Sequence, residues 1–368
     1  MHILLLSAYD TASHRAWCEG LMRHMPQIHW HYLALPGRYF SWRIRGNAMS
    51  WAYGEASKTL NQSFDLIIAT SMVDLATLKG LVPSLVNVPS IVYFHENQFA
   101  YPSTTHQHKS LEPQMVNLYS ALSADHVVFN SDYNRQSLLS GISQLMKKLP
   151  DQVPPNLANI IQAKSRVLPV PIESLELAPT TPSEKKDRLK LVWNHRWEYD
   201  KGPDTLASVC REIDLRNLPV DIWILGQAFR QRPSSFQQLQ EDPPKCLQHM
   251  GKLEQASDYQ TCLQQADIVL STALHEFQGL AVLEAAQQGC VPLVPDRLAY
   301  PEWVPEACRY TDTQSVDLEA QAICNRLQIW LDAGLPAAPD VSHYQWNQLL
   351  PKYEKLLSEI SGKSVQDC

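Results

Sequence analysis

His275-Glu276-Phe277-Gln278-Gly279-Leu280-Ala281-Val282-Leu283-Glu284 sits between an apolar run, Asp267–Ser271, and a second one, Cys290–Val294. The first run reads as a strand, Gly279–Gln288 as a short helix closed by Gly289, and the second run as a returning strand. A strand, a helix and another strand in about thirty residues make a βαβ unit, which implies a parallel sheet. Two glutamates frame the turn: Glu276 in the loop and Glu284 inside the helix. The first N–H groups of that helix, at Gly279 and Leu280, have no helical partner, and the helix dipole favours an anion there. A diphosphate suits that end, with one carboxylate left to accept from sugar hydroxyls and the other from a ribose. A capped surface helix produces the same spacing, so neighbouring segments decide between the two.

The same alternation extends outward in both directions. Upstream in this half lie a strand at Leu189–Asn194, a helix at Pro203–Asp214 with proline at its first position, a strand at Val220–Leu225, a polar loop, and a helix near Ala256–Gln265. Helices near 316–332 and 343–360 follow. The first half repeats the pattern, with strands at His2–Ser7, Ile28–Ala34, Phe64–Ala69, Ser90–His95 and His126–Asn130 and helices at about 14–25, 47–60, 73–82, 111–123 and 131–148. Pro169, Pro171, Pro179 and Pro182 punctuate a polar stretch between the halves. The expected organisation is α/β, two doubly wound Rossmann-like domains facing a central cleft: residues 1–172, a linker at 173–187, and 188–344, with the terminal helix at about 345–368 returning to the first domain. Ligands in such sheets sit beyond the carboxyl ends of the strands.

Composition narrows the class. The chain has 368 residues, 45% hydrophobic and 19% charged, enough for a buried core in each of two or three domains and too apolar for disorder. Its net charge of −7 carries no global basic field, so any contact with RNA or a membrane requires a local patch. Met1–Ala8 has no basic flank or small-residue cleavage site and reads as the first strand, and no apolar run reaches membrane-spanning length. Eight scattered cysteines without a C-x-x-C pair point to reduced thiols in a cytoplasmic protein.

Four further segments carry candidate chemistry. Asn194-His195-Arg196-Trp197-Glu198-Tyr199-Asp200-Lys201-Gly202 ends a strand and puts Arg196 and Lys201 on one loop, a fork and a point charge suited to a departing diphosphate. Pairing with Glu198 and Asp200 is the competing reading. Tyr93-Phe94-His95-Glu96-Asn97-Gln98 brings His95 to a strand's carboxyl end, either to bind sugar and polarise a hydroxyl or as a structural histidine. Asp10-Thr11-Ala12-Ser13-His14 ends the first strand, and Ser13 suits a helix N-cap. Residues 38–53 interleave Arg38, Arg43 and Arg45 with Tyr39, Phe40, Trp42, Trp51 and Tyr53, a pattern that pairs with phosphates and stacks on bases, or packs as core with a basic rim. The spaced pairs His29/His31 and His106/His108 read as strand or loop histidines rather than metal ligands.

The Glu276-x7-Glu284 element and the Arg196/Lys201 loop resemble the retaining nucleotide-sugar glycosyltransferases of family 4, with the GT-B fold. Phe94-His95-Glu96-Asn97-Gln98, with Leu35-Pro36-Gly37-Arg38 and Trp42-Arg43-Ile44-Arg45-Gly46, is similar to the tRNA-queuosine α-mannosyltransferase, or glycosyltransferase-like domain-containing protein, family. That resemblance implies GDP-mannose as donor substrate and queuosine in a tRNA anticodon as acceptor, with no metal and no membrane. It implies a catalytic set of His95, Glu276, Arg196 and Lys201. Arg196 and Lys201 would hold the diphosphate, Glu284 the ribose, and Glu276 the sugar, with Phe277, Gly279 and Leu280 completing the donor site. Ser13, His14, Arg38, Trp42, Arg43, Arg45, Glu96 and Asn97 would meet the acceptor or its tRNA. The chain departs from the family at Thr11-Ala12, where a glycine pair is usual, and at Gln278, where a second aromatic is frequent. Another nucleotide-sugar with a glycan or small-molecule acceptor, or a non-catalytic sugar-nucleotide or tRNA binder, fits the same residues.

Overall fold

A computed structural model describes residues 1–101, 110–174, 187–226 and 233–365. His106, His108 and most of the expected linker lie outside the described residues. Contacts divide the chain into two units: Met1–Pro171 together with the end of the chain from Trp346, and Ile172–Gln345. Each holds one six-stranded sheet whose paired strands are all parallel.

In the first unit the strands are β1 His2–Asp10, β2 His29–Pro36, β3 Leu66–Thr70, β4 Ser90–Phe94, β5 His126–Phe129 and β6 Ser165–Val167, in the spatial order β2-β1-β3-β4-β5-β6. The second unit has β7 Leu189–Trp193, β8 Val220–Leu225, β9 Leu247–Gly251, β10 Ile268–Leu270, β11 Val291–Pro295 and β12 Arg309–Tyr310, ordered β12-β11-β10-β7-β8-β9. Helices cover the sheets, so the central strands are largely buried on both faces and mostly apolar. Ile67, Val92, Phe94 and Phe129 anchor one core; Leu191, Trp193, Ile224 and Leu270 anchor the other. Chain order reverses between β1 and β3 in the first sheet and between β7 and β10 in the second. Those reversals splay the following loops apart at the carboxyl ends and create the binding crevice of such folds.

The expected α/β pattern holds, and the missed strands share one cause. β6, β9 and β12 carry no strand signal in the sequence, and all three are sheet edges. A half-solvated edge strand needs no apolar run, as the exposed Arg166 and Val167 of β6 illustrate. The helices Leu157–Ala163 and Ser234–Glu241 are likewise absent from the sequence-based pattern. The helix expected at 47–60 is two helices, Phe40–Tyr53 and Ser57–Leu60, because Gly54 turns extended (φ −95°, ψ −161°) and breaks the ladder. Among the described residues no helix is long and apolar enough to cross a membrane.

The terminal helix Trp346–Ser361 belongs to the first unit. Trp346 lies over Gly20, where an added Cβ would come within 2.4 Å of the indole, and stacks on His24 (centroids 4.6 Å apart). Tyr353 Oη accepts from Trp17 Nε1 (3.1 Å) and donates to Pro169 O (2.9 Å). Truncating Trp346 to alanine opens a cavity that the helix cannot close. It is expected to cost about 3–5 kcal/mol, read as an earlier midpoint in urea denaturation of the full chain.

Candidate active site

The second unit's site grows from the loops after β7 and β10. β7 ends at Trp193, and Asn194–Gly202 folds back through a tight turn at Tyr199–Lys201. Gly202 (φ +66°) admits no side chain, since a Cβ would lie 1.9 Å from Thr272 O. That close approach locks the two loops together. Thr272 Oγ1 donates to Lys201 O (2.7 Å), and Asp200 O accepts from the N–H groups of Leu274 (2.8 Å) and His275 (3.1 Å).

Lys201, 8% exposed, lies at the centre. Its Nζ donates to His275 O (2.9 Å) and Glu276 Oε2 (3.2 Å) and sits 3.3 Å from Asp200 Oδ2. Burial alone would lower the ammonium's pKa; the charges of Glu276 and Asp200 more than reverse this and raise it. Burial would likewise raise the Glu276 carboxyl, but Lys201, helped by His195 and His275, pulls it down to about 2. His195 sits beside this cluster with Nε2 buried and unpartnered among the described residues. Burial and the Lys201 charge lower its pKa to about 4, so the ring is neutral at physiological pH. Lys201 and Glu276, 75 positions apart in the chain, thus form one ion pair in space, and Lys201 already has two carboxylates to satisfy. Arg196 is the exposed cation of the loop, 3.1 Å from Glu198.

The other residues expected to meet the donor lie at or near the helix Leu280–Gln287. Gly279 (φ +86°) opens it, and a Cβ there would press within 2.9 Å of the Tyr300 ring. Phe277 is buried edge-on against His275 (4.5 Å, 87°). Glu284 stands one turn into the helix and accepts from Tyr259 Oη (3.4 Å). Asn194 Nδ2 donates to Tyr259 Oη (3.0 Å) and Ala281 O (2.8 Å), while its buried Oδ1 has no partner among the described residues. Beside them a cavity of about 400 Å³ is lined by Asn194, Leu225, Gly226, Leu253, Gln255 and Tyr259. Sequence reasoning offers Asp200 only as a partner for the loop's cations, which the Lys201 contact bears out, and gives no role to His195 or Tyr259. Asp200 and His195 stand in the same charged loop as Arg196 and Lys201, but Tyr259 arrives from a distant helix without a local signal.

The first unit has its own cluster at the β1/β3 reversal. Glu96 follows β4; its Oε2 meets His14 Nε2 (3.0 Å) and its Oε1 accepts from Ser71 Oγ (2.8 Å). His14 Nδ1 faces Tyr9 O (2.9 Å). Both ring nitrogens face pure acceptors, so both need protons and His14 is an imidazolium. Burial opposes that charge, and the Glu96 carboxylate outweighs it, raising the pKa. Burial acts to raise Glu96 too, and His14 brings it down to about 2. His95 packs against His14 (4.4 Å), Trp17 (4.7 Å) and Tyr93 (4.7 Å), with neither ring nitrogen partnered among the described residues. Burial first, and the His14 charge second, keep His95 neutral by lowering its pKa well below the usual value.

Other expected acceptor residues are spent differently. Asn97 is 0% exposed; its amide donates to Asn134 and Ser137 and its Oδ1 accepts from Phe99 and Ala100 N–H, so it holds the loop and faces no ligand. Ser13 is exposed one residue inside the helix Ala12–His24, whose N-cap is Thr11, correcting the reading of Ser13 as the cap. Arg45 is tied to Asp74 (2.5 Å). Tyr39 (70%), Trp42 (48%) and Tyr53 (74%) are exposed with Arg38, whose guanidinium lies 5.6 Å from the Tyr39 ring. Trp51 is core, and Arg43 is half-buried.

The architecture has counterparts among solved structures. Sucrose-phosphate synthase from Thermosynechococcus elongatus superposes with a TM-score of 0.65 at 12% identity, covering 98% of this chain and 99% of that one. The pneumococcal O-GlcNAc transferase GtfA, solved with UDP and GlcNAc, gives 0.59 at 17% identity over 82% of this chain and 58% of that one. These likenesses define the class: a GT-B fold, the scaffold of nucleotide-sugar glycosyltransferases. The tRNA-queuosine alpha-mannosyltransferase of Drosophila melanogaster is 31% identical over 337 residues, 89% of this chain and 88% of its own. Residues 2–172 match the family described as tRNA-queuosine alpha-mannosyltransferase N-terminal. The chain belongs to the tRNA-queuosine alpha-mannosyltransferase family and is a glycosyltransferase.

Two outcomes test the electrostatics. Lys201→Ala leaves Asp200 and Glu276 buried without their cation and is expected to cost about 3–5 kcal/mol of stability at pH 8. The penalty shrinks on acidification. In the variant the buried Glu276 carboxyl takes up a proton, and below about pH 4.5 the native protein also loses the stability that its depressed Glu276 contributed, because the unfolded chain binds the proton first. Urea titrations at several pH values read this difference; a penalty independent of pH would reject the cluster. For His14, NMR titration should give a midpoint above about 6.5 in the native protein and below it in Glu96→Gln. The pair's stabilisation is accordingly lost in both directions, above the His14 midpoint and below about pH 4.5.

Proposed function

We propose that this glycosyltransferase moves mannose from GDP-mannose to the cyclopentenediol of queuosine in a tRNA anticodon, with retention at the anomeric carbon. The observation that carries the reading is the relative named tRNA-queuosine alpha-mannosyltransferase, aligned along 89% of the chain and therefore across both units. Supporting it, the second unit presents what a nucleotide-sugar needs. The amino end of the helix Leu280–Gln287 offers free N–H groups to the diphosphate, with Arg196 as an exposed cation on the loop after β7. Glu284 accepts from the ribose hydroxyls, and the cavity beside Asn194 and Tyr259 takes the base. Glu276, ionised at physiological pH, accepts from sugar hydroxyls, and Lys201 holds that carboxylate in place while adding positive charge behind the leaving phosphate. In the first unit His95 is a neutral hydrogen-bond acceptor that polarises a reacting hydroxyl, with the Glu96–His14 pair orienting the diol.

No carboxylate stands as a nucleophile in this reading. Front-face departure and attack, aided by the leaving diphosphate, account for retention, and the barrier falls through positioning and charge stabilisation. Arg38, Tyr39, Trp42 and Arg43 give an acidic chain a local surface for RNA, the arginines meeting phosphates and the rings stacking on bases.

Incubating the protein with queuosine-containing tRNA and one nucleotide-sugar at a time, followed by mass spectrometry of the nucleosides, tests the reading. A hexose on queuosine with GDP-mannose alone is expected. Steady donor hydrolysis without nucleoside modification would move the acceptor elsewhere. Glu284→Ala should weaken GDP binding by about tenfold or more in calorimetry, since a buried ribose hydroxyl loses a charged acceptor. Arg38→Ala with Arg43→Ala should flatten the salt dependence of tRNA affinity by about 0.7–0.9 for each phosphate no longer neutralised, and an unchanged slope would place the RNA elsewhere.

A further inference from the structure

Three histidines converge at the opposite end of the first sheet from the His14–Glu96 cluster, at the amino ends of the strands. His2 opens β1, and His29 opens β2 as its register partner; His31, two residues on, points to the same side of β2 as His29. One ligating nitrogen from each lies within 4.8 Å of the other two. The rings crowd each other, with centroids 4.6 Å apart for His2 and His29, 4.7 Å for His29 and His31, and 5.7 Å for His2 and His31.

One long hydrogen bond is all that joins these side chains to each other among the described residues. The one nitrogen–nitrogen approach, His2 Nδ1 to His31 Nε2, is 3.4 Å, long for a hydrogen bond. It is the separation that a shared metal requires: two Zn–N bonds of about 2.0–2.1 Å at the tetrahedral angle place their nitrogens about 3.3–3.4 Å apart. The backbone is already pinned in that arrangement. His2 N–H donates to Asp65 Oδ2 (2.8 Å), and His29 N–H donates to Met1 O (2.9 Å). The His31 ring stands edge-on to Phe64 (5.1 Å, 81°), which sets its direction. His2 and His29 are exposed and His31 is half-buried, so an ion has access from solvent.

We propose that His2, His29 and His31 form a binding site for a late first-row divalent ion, Zn²⁺ above all, with three imidazole nitrogens and water in the fourth position. Imidazole donors select Zn²⁺, Cu²⁺ or Ni²⁺ over the hard cations Mg²⁺ and Ca²⁺. The site lies away from the strand ends where substrates bind, so the ion clips the edge strand β2 to β1 and takes no part in transfer. In the sequence the His29/His31 pair alone offers too few ligands to signal a metal; the third comes from a strand that begins 27 positions earlier.

Tag-free full-length protein, stripped with chelator, is titrated with Zn²⁺ against a chromophoric competitor and, separately, with Co²⁺. Binding of one equivalent and the intense visible absorption of four-coordinate cobalt are expected. His29→Gln and His31→Gln should each weaken Zn²⁺ binding by about tenfold or more, and the double variant should abolish it. Zn²⁺ should raise the melting temperature of the native protein and not of the double variant. His29 is exposed, so His29→Gln keeps the fold, and metal-free melting curves verify this for each variant. Zn²⁺ affinity that is unchanged in the double variant, or cobalt spectra of the hexa-aquo ion alone, would overturn the site.

Discussion

The buried ammonium of Lys201 is the interaction around which the second unit's candidate site is organised. Two carboxylates and a carbonyl converge on it within 3.3 Å, in a space that excludes most water. In such a medium a carboxylate without a cation would take up a proton, and a lysine without anions would lose one. Lys201 and Glu276 therefore hold each other in the charged state. The cluster ties the loop after β7 to the loop after β10, the two strands between which chain order reverses. The crevice that the topology opens is held in shape by one ion network, with Gly202 allowing the loops to touch.

The first unit solves a related problem with the opposite balance. His14 is charged because both of its nitrogens face acceptors, and burial, with that charge added, keeps His95 neutral. Two adjacent imidazoles thus differ in protonation state: Glu96 holds one charged, and burial leaves the other neutral. A neutral imidazole next to a fixed ion pair can accept a hydrogen bond, while its lowered pKa disfavours a second positive charge beside His14. Asn97, next in the chain, has its amide fully engaged and holds the loop that carries His95 and Glu96.

Much of the fold was legible because central parallel strands must be apolar on both faces and the helices between them are amphipathic. The strands that escape sequence reading are edges, where burial is partial and the pattern dissolves. At the site, Glu276, Glu284, Arg196 and Lys201 were legible from their position at strand-to-helix turns. Their partners were not: Tyr259 reaches Glu284 from another helix, and Ser71 reaches Glu96 from beyond another strand. Nothing local distinguishes such residues from ordinary surface tyrosines and serines.

By itself, then, the sequence determined the alternation of strands and helices, the turns that carry charge, and the family to which the chain belongs, because these depend on residues near one another or on motifs kept in order. Tertiary structure alone decided which charges face each other. It made Lys201 a shared counter-ion rather than a free one, turned Arg45 toward Asp74, buried Asn97, and gathered His2 with His29 and His31. Protonation state and ligation depend on distances of a few ångströms between groups far apart in the chain, and only the folded sheet sets those distances.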